Sequence, residues 1–102
     1  MGTVISTAKR AGNVSVNMAR LYDALLSLKT RAECAAFLRD LCTPAELKEF
    51  GERLQIASLL VEDMSYRDIS DKTGASTTTI TRVAQWYHHG RGGYRTALSR
   101  LT

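Results

Sequence analysis

A cluster of short hydroxyl side chains lies within SYRDISDKTGASTTTITRV, residues 65–83, where one serine and four threonines fall between positions 76 and 81. Each hydroxyl can donate or accept a hydrogen bond, and each threonine methyl can contact the methyl group of thymine. Short side chains also permit close approach to base edges and phosphates. Because threonine is a poor helix former, the run alone is compatible with a loop or a strand as well as a helix.

The sequence contains no comparable pattern of residues that would indicate enzyme catalysis. There is no nucleophile–base pair, and the glycines of GRGG, residues 90–93, are too scattered for a nucleotide-binding loop. His88 and His89 have no partner residues at metal-binding spacing and are interpreted as solvated residues at a helix end. We therefore predict no catalytic residue, no metal site and no cofactor.

The positive charge is concentrated in the second half of the chain. Residues 1–64 contain eight Lys/Arg and eight Asp/Glu, whereas residues 65–102 contain six Lys/Arg and two Asp/Glu, which accounts for the whole net charge of +4. A basic half beside a neutral half indicates a polyanionic partner, most simply nucleic acid. The alternative is a chance excess of charge on a solvated surface.

The composition is typical of one globular domain, with 102 residues, 44% of them hydrophobic and 24% charged. No apolar stretch approaches the roughly 18–20 residues of a membrane-spanning helix, so no membrane partner is expected. Residues 1–16 lack the apolar core of a signal peptide and are predicted to form a flexible arm. Cys34 and Cys42 are interpreted as reduced thiols, which favours a cytoplasmic protein.

Helical periodicity dominates the rest of the chain, because apolar residues recur at intervals of three and four without sustained alternation. The clearest helix start is Thr43-Pro44-Ala45-Glu46, which combines an N-cap, a proline at the first helical position and a capping-box glutamate. We predict one domain over residues 17–102. Its helices are predicted at about 17–29, 31–42, 44–63, 66–73, 77–88 and 94–101.

Two of these helices have the spacing of a helix-turn-helix. Ile69 and Ser70 fit the apolar and small positions of the first helix, and Gly74 falls where the chain reverses. Ile80 and Val83, six and nine residues after that glycine, fit the apolar positions of the second helix. The alternative is a plain helical hairpin without a role in DNA binding.

The hydroxyl cluster then lies at the start of a recognition helix, flanked by basic residues. Such a helix end must approach bases and phosphates closely, which explains its short side chains. The predicted DNA-contacting residues are Arg67, Lys72, Ser76, Thr77, Thr78, Thr79, Thr81 and Arg91.

Three stretches between residues 43 and 83 carry a family resemblance, namely TPAELKEFGERLQIASLL, MSYRDIS and TGASTTTITR. In these stretches the chain resembles the Trp repressor superfamily, most closely its YerC/YecD-type branch. The resemblance implies an all-α fold of six helices, with a helix-turn-helix at 65–88. It also implies an intertwined homodimer that places two recognition helices in successive major grooves of DNA.

The resemblance also implies a ligand pocket, in which two arginines of the Trp repressor hold tryptophan between them. Arg53 and Arg82 match these arginines, and Thr43 matches a residue that meets the amino group of the ligand. However, Val83 and Trp86 stand where the repressor has a glycine and a serine. L-Tryptophan is therefore not expected as corepressor, and an unknown small-molecule effector is left open. Two interpretations of Trp86 are open, that it partly fills the pocket itself and that it is simply a core residue.

Together these observations predict a cytoplasmic, homodimeric, sequence-specific DNA-binding regulator, a repressor rather than an enzyme. The competing hypothesis is a dimeric protein-interaction module that has kept the helical scaffold but no longer binds DNA.

Overall fold

The computed structural model describes the backbone of residues 9–101 and the side chains of residues 15–101. This part of the chain is all-α and contains no strand, which confirms the predicted six-helix fold. The helices are α1 (Lys9–Ser27), α2 (Arg31–Leu41), α3 (Pro44–Val61), α4 (Tyr66–Thr73), α5 (Thr77–His89) and α6 (Gly93–Leu101).

The main difference from the predicted boundaries is at the start of α1. This helix begins at Lys9 rather than near residue 17, so residues 9–16 of the predicted flexible arm are helical. Residues 1–8 lie outside the described part of the chain. The segment has no acidic residue in its first turn, and Gly12 with the β-branched Val14 and Val16 lowers its intrinsic helix propensity, so the sequence did not predict a helix there.

The end of α3 also differs from the prediction, because the helix stops at Val61 rather than at about Asp63. The backbone N–H of Glu62 donates to the carbonyl of Leu59 and that of Asp63 to the carbonyl of Leu60, and Asp63 takes a positive φ of 60°. The chain leaves the helix through this left-handed residue and starts α4 a few residues later.

The chain divides into two compact units, residues 1–41 with α1 and α2, and residues 42–102 with α3 to α6. One domain over 17–102 therefore stays a prediction. In the second unit, α5 packs against α3, α4 and α6. The core of this unit is formed by buried apolar residues from all four helices and the turn between α4 and α5. They are Ile56, Ala57, Leu59, Leu60, Ile69, Ala75, Ile80, Val83, Ala84 and Leu98.

One face of α3 is left outside this core. Phe50, Leu54 and Val61 are exposed, although their spacing in the sequence is that of an apolar stripe. The buried face of the helix is instead centred on Ile56 and Leu60. Helix α3 is thus apolar on two sides, and only one of them is covered within its own unit.

Candidate nucleic-acid interface

The turn between α4 and α5 is fixed by a left-handed glycine and two side-chain hydroxyls. Gly74 has φ 79°, and its N–H donates to the carbonyl of Ser70 at 2.8 Å. The Ser70 hydroxyl donates to the carbonyl of Ala75 at 2.9 Å. The Thr73 hydroxyl donates to the carbonyl of Ile69 at 2.8 Å and accepts from the Ala75 N–H at 3.0 Å. These bonds set the direction in which α5 leaves the turn.

Gly74→Ala is expected to destabilise the fold by about 1–2 kcal/mol, because a side chain at this positive φ is strained. The free energy of unfolding, measured by chemical denaturation, checks this. Gly51→Ala is the matched control. Gly51 lies inside α3 with no heavy atom within 4 Å of an added Cβ, so alanine there should stabilise by up to about 1 kcal/mol. Equal effects of the two changes would show that the turn does not require glycine.

The amino end of α5 uses two of the hydroxyls to cap itself. Ser76 is the N-cap, with extended backbone, and its Oγ accepts from the Thr79 N–H at 3.1 Å. The same hydroxyl donates to Oγ1 of the half-buried Thr79 at 3.1 Å. Thr77, Thr78 and Thr81 remain exposed. The structure therefore separates the predicted set into capping residues and residues with hydroxyls directed to the surroundings.

Exposed basic side chains lie on both helices of the pair and just beyond the carboxyl end of α5. Arg67 and Lys72 are exposed on α4, Arg82 is exposed on α5, and Arg91 is exposed just after α5. Over residues 15–101, where side chains are described, none of these four cations forms a salt bridge. They remain available to phosphate groups, whose contacts position a protein on DNA without reading its sequence.

Buried apolar residues of α4 and α5 hold the helix pair against the core of the second unit. Ile69 of α4 and Ile80 of α5 have no exposed surface, and Val83 is 1% exposed. The predicted inward positions of the helix-turn-helix are therefore buried. Since these residues hold one side of α5, the side bearing Thr77, Thr78 and Thr81 is presented outward.

Two residues of the predicted ligand pocket contact each other directly. The guanidinium carbon of Arg53 lies 5.4 Å from the ring centroid of Trp86, a cation–π distance. Nη2 of Arg53 also lies 3.3 Å from Oε1 of Glu49. Val83 is buried in the core at 1% exposure, whereas Arg82 is exposed on α5.

Thr43, another residue of the predicted pocket, forms hydrogen bonds that cap the start of α3. Its N–H donates to Oε1 of Glu46 at 2.8 Å, and its hydroxyl accepts from the Glu46 N–H at 3.1 Å. The backbone N–H of Thr43, followed by its hydroxyl, holds the pKa of Glu46 below the usual value. This capping box was visible in the sequence, whereas the contact of Arg53 with Trp86 was not.

A family model described as Trp repressor protein matches residues 16–102. The chain belongs to the Trp repressor family. It is 42% identical over 82 residues to the uncharacterized protein YerC of Bacillus subtilis (strain 168), which covers 80% of this chain and 79% of YerC.

Solved structures agree with membership of the Trp repressor family. A TrpR-like protein from Eubacterium eligens superposes with a TM-score of 0.77 at 41% identity, over 81% of this chain and 86% of the other. A candidate Trp repressor from Staphylococcus aureus gives a TM-score of 0.79 at 37% identity, over 84% and 86%. The resemblance predicted from the three sequence stretches is confirmed, and it indicates a DNA-binding regulator.

Other classes of site are not apparent in this Trp repressor family member. Among the described residues, no cluster of His, Cys, Asp and Glu could hold a metal ion. Within the same residues, no helix is long and apolar enough to cross a membrane.

Proposed function

We propose that this chain is a homodimeric transcription regulator, acting as a repressor in the cytoplasm, which reads DNA in the major groove with α5. The observation that carries this proposal is the exposed set Thr77, Thr78 and Thr81 at the amino end of a helix anchored by Ile69 and Ile80. A helix held this way can enter the groove with its first turns without rearranging the fold.

The proposed contacts with DNA fall into two classes. Thr77, Thr78 and Thr81 contact base edges, where their hydroxyls and methyls discriminate between base pairs. Arg67, Lys72 and Arg91, with the backbone at the amino end of α5, contact phosphates. Ser76 and Thr79 act mainly by holding the first turn in shape, because their side chains bond to each other.

Large apolar side chains left exposed on both units support the homodimer. In the second unit these include Phe50, Leu54 and Val61 of α3. In the first unit, α1 exposes Tyr22 and Leu26, the latter 83% exposed. Large exposed apolar side chains on a small chain mark interaction faces, and in this proposal a second copy of the chain covers those of each unit.

The Arg53–Trp86 contact supports DNA binding without tryptophan. The Trp86 ring contacts the guanidinium of Arg53, a residue that the family resemblance assigns to ligand binding, and Trp86 belongs to α5 itself. The recognition helix is thus tied to α3 by the chain's own side chains. We propose that the dimer is competent to bind DNA without a tryptophan corepressor.

L-Tryptophan is accordingly expected to leave the melting temperature of the protein unchanged in a thermal-shift titration. A ligand at a hundred times its Kd would add about 2.7 kcal/mol to the stability of the folded state, so binding would be evident. Trp86→Ser is the matched comparison, because it removes the ring from Arg53 and restores the smaller residue. A dose-dependent rise for the wild type as large as for Trp86→Ser would contradict the closed pocket.

A mobility-shift experiment with mixed genomic fragments tests the proposed function as a whole. We expect fragments to be shifted at low salt, in a complex containing two chains. At moderate salt we expect only a subset of these fragments to be shifted. A chain that dimerises but shifts no fragment at low salt would be a protein-interaction module instead.

A further inference from the structure

Arg82 is the only lysine or arginine of α5, and its side chain is exposed. The family resemblance pairs it with Arg53 around a bound ligand. In this chain, however, the guanidinium carbon of Arg53 lies 5.4 Å from the centroid of the Trp86 ring, and Arg53 forms a salt bridge to Glu49 at 3.3 Å. Across residues 15–101, the side chain of Arg82 forms no salt bridge, hydrogen bond or cation–π contact. Its guanidinium therefore plays no part in holding the fold together.

The position of Arg82 around α5 follows from the burial of Ile80, which has no exposed surface. Successive residues of an α-helix are about 100° apart, so Thr78 and Arg82, two residues before and after Ile80, each lie about 160° from it. Both are exposed, whereas Val83 and Ala84 are buried with Ile80. The middle of the exposed face of α5 thus runs between Thr78 and Arg82. In the proposed function, this face meets the floor of the major groove.

The length of the arginine side chain compensates for its later position in the helix. Arg82 follows Thr78 by about one turn, which places its Cα about 6 Å farther from the amino end of α5. Long side chains of an α-helix lean toward its amino end and cover the preceding turn. A guanidinium at position 82 is therefore expected to cover the turn that carries Thr78, where it can reach base edges at the same level.

The other proposed DNA-contacting cations lie outside this face. Arg67 and Lys72 belong to α4, and Arg91 follows the end of α5. Their positions suit contacts with the phosphates on either side of the groove. Arg82 lies instead in the middle of the exposed face of the recognition helix, where the major groove presents the edges of the bases.

Guanine is the base that an arginine side chain recognises best. The planar guanidinium donates two hydrogen bonds that match the acceptors O6 and N7 of guanine in the major groove. A threonine hydroxyl both donates and accepts, so it does not by itself select one base. Within the first two turns of α5, residues 77–83, Arg82 is thus the one side chain suited to bidentate readout.

We propose that Arg82 reads one guanine in each half-site, donating hydrogen bonds to its O6 and N7, next to the base pair that Thr78 contacts. Arg82 is then a residue that determines DNA specificity rather than a residue that binds an effector. This assignment rests on the proposed DNA-binding function. It predicts that every strong site contains a guanine at the same position of both half-sites.

Modified bases test the contact atom by atom. The site selected from a random duplex pool is synthesised with one guanine of one half-site changed at a time. 7-Deazaguanine lacks the N7 acceptor, whereas inosine lacks only the amino group in the minor groove. At one position, 7-deazaguanine should weaken binding of the wild type about tenfold, measured by fluorescence anisotropy, and inosine should weaken it far less.

Two alanine variants show which side chain makes the contact. Arg82→Ala should bind the unmodified site about a hundredfold more weakly, because a dimer loses two such contacts, and the penalty for 7-deazaguanine should disappear. Lys72→Ala is the matched control. It should weaken binding to all duplexes and keep the tenfold penalty. Both side chains are exposed, so both variants should melt at the temperature of the wild type.

Binding of the wild type to a selected site in which no guanine is sensitive to 7-deazaguanine would overturn the role of Arg82 and leave the proposed function intact. The same conclusion would follow if Arg82→Ala kept the full penalty, or if it weakened binding equally to all duplexes, as expected for a phosphate contact. A folded wild type that bound no duplex at low salt would overturn the proposed function and this assignment together.

Discussion

Raising the potassium chloride concentration from about 50 to about 200 mM is expected to weaken binding of this protein to DNA roughly a thousandfold. Three of the exposed cations of each chain, Arg67, Lys72 and Arg91, are proposed to contact phosphates, which makes six in a homodimer. Six neutralised phosphates give a slope of about −5 when the logarithm of the association constant is plotted against that of the salt concentration. Fluorescence anisotropy with a labelled duplex measures this slope.

Variants that each lack one basic side chain test which residues cause the salt dependence of the association constant. Lys72→Gln removes one phosphate contact per chain, so a dimer should lose about two from the magnitude of the slope. Lys48→Gln removes an exposed lysine of α3, outside the proposed interface, and should leave the slope unchanged. A slope near zero for the wild type, or equal slopes for the two variants, would contradict phosphate binding at this surface.

Ile80→Ala is expected to lower the free energy of unfolding by about 2–5 kcal/mol, the range for removing a large apolar side chain from a packed core. Ile80 has no exposed surface and lies on α5 between the exposed Thr78 and Thr81. A loss of this size is a large part of the stability of a small domain, usually about 5–15 kcal/mol. DNA affinity should fall with it, because α5 loses its anchor. Chemical denaturation measures the first effect.

Thr78→Ala is the control for this substitution, since it removes side-chain atoms from the same helix at an exposed position. Its effect on stability should stay within about 0.5 kcal/mol. If the two variants unfolded at the same denaturant concentration, α5 would not be held by the burial of Ile80.

The helix-turn-helix was predictable from the sequence because local chemistry determines most of it. Gly74 is the residue that a left-handed turn favours, and Ser65 and Ser76 are caps with a bond to the third residue of their helices. The apolar spacing of Ile69, Ile80 and Val83 predicted burial, and all three are buried. Such signals act over a few residues, so a single sequence contains them.

Features that depend on distant residues were not predictable in the same way. The Arg53–Trp86 contact joins residues 33 positions apart, and only the family resemblance, not the local sequence around either residue, placed them in one pocket. The contact of α6 with the end of α5 likewise depends on Arg95, whose Nε donates to the carbonyl of Tyr87. The earlier start of α1 was missed because its first turn holds no acidic residue and residues 9–16 include weak helix formers such as Gly12 and Val14.

Selection of bound sequences from a random duplex pool, for the wild type and for a Thr77→Ala/Thr78→Ala double variant, tests the central claim most directly. We predict that the wild type enriches a roughly palindromic site, with half-sites about one helical turn, ~34 Å, apart. The double variant should remain folded, keep its salt-dependent affinity and enrich a different or weaker site, because only base contacts have been removed. No enrichment by the folded wild type at low salt, or the same site enriched by both proteins, would contradict sequence reading by α5.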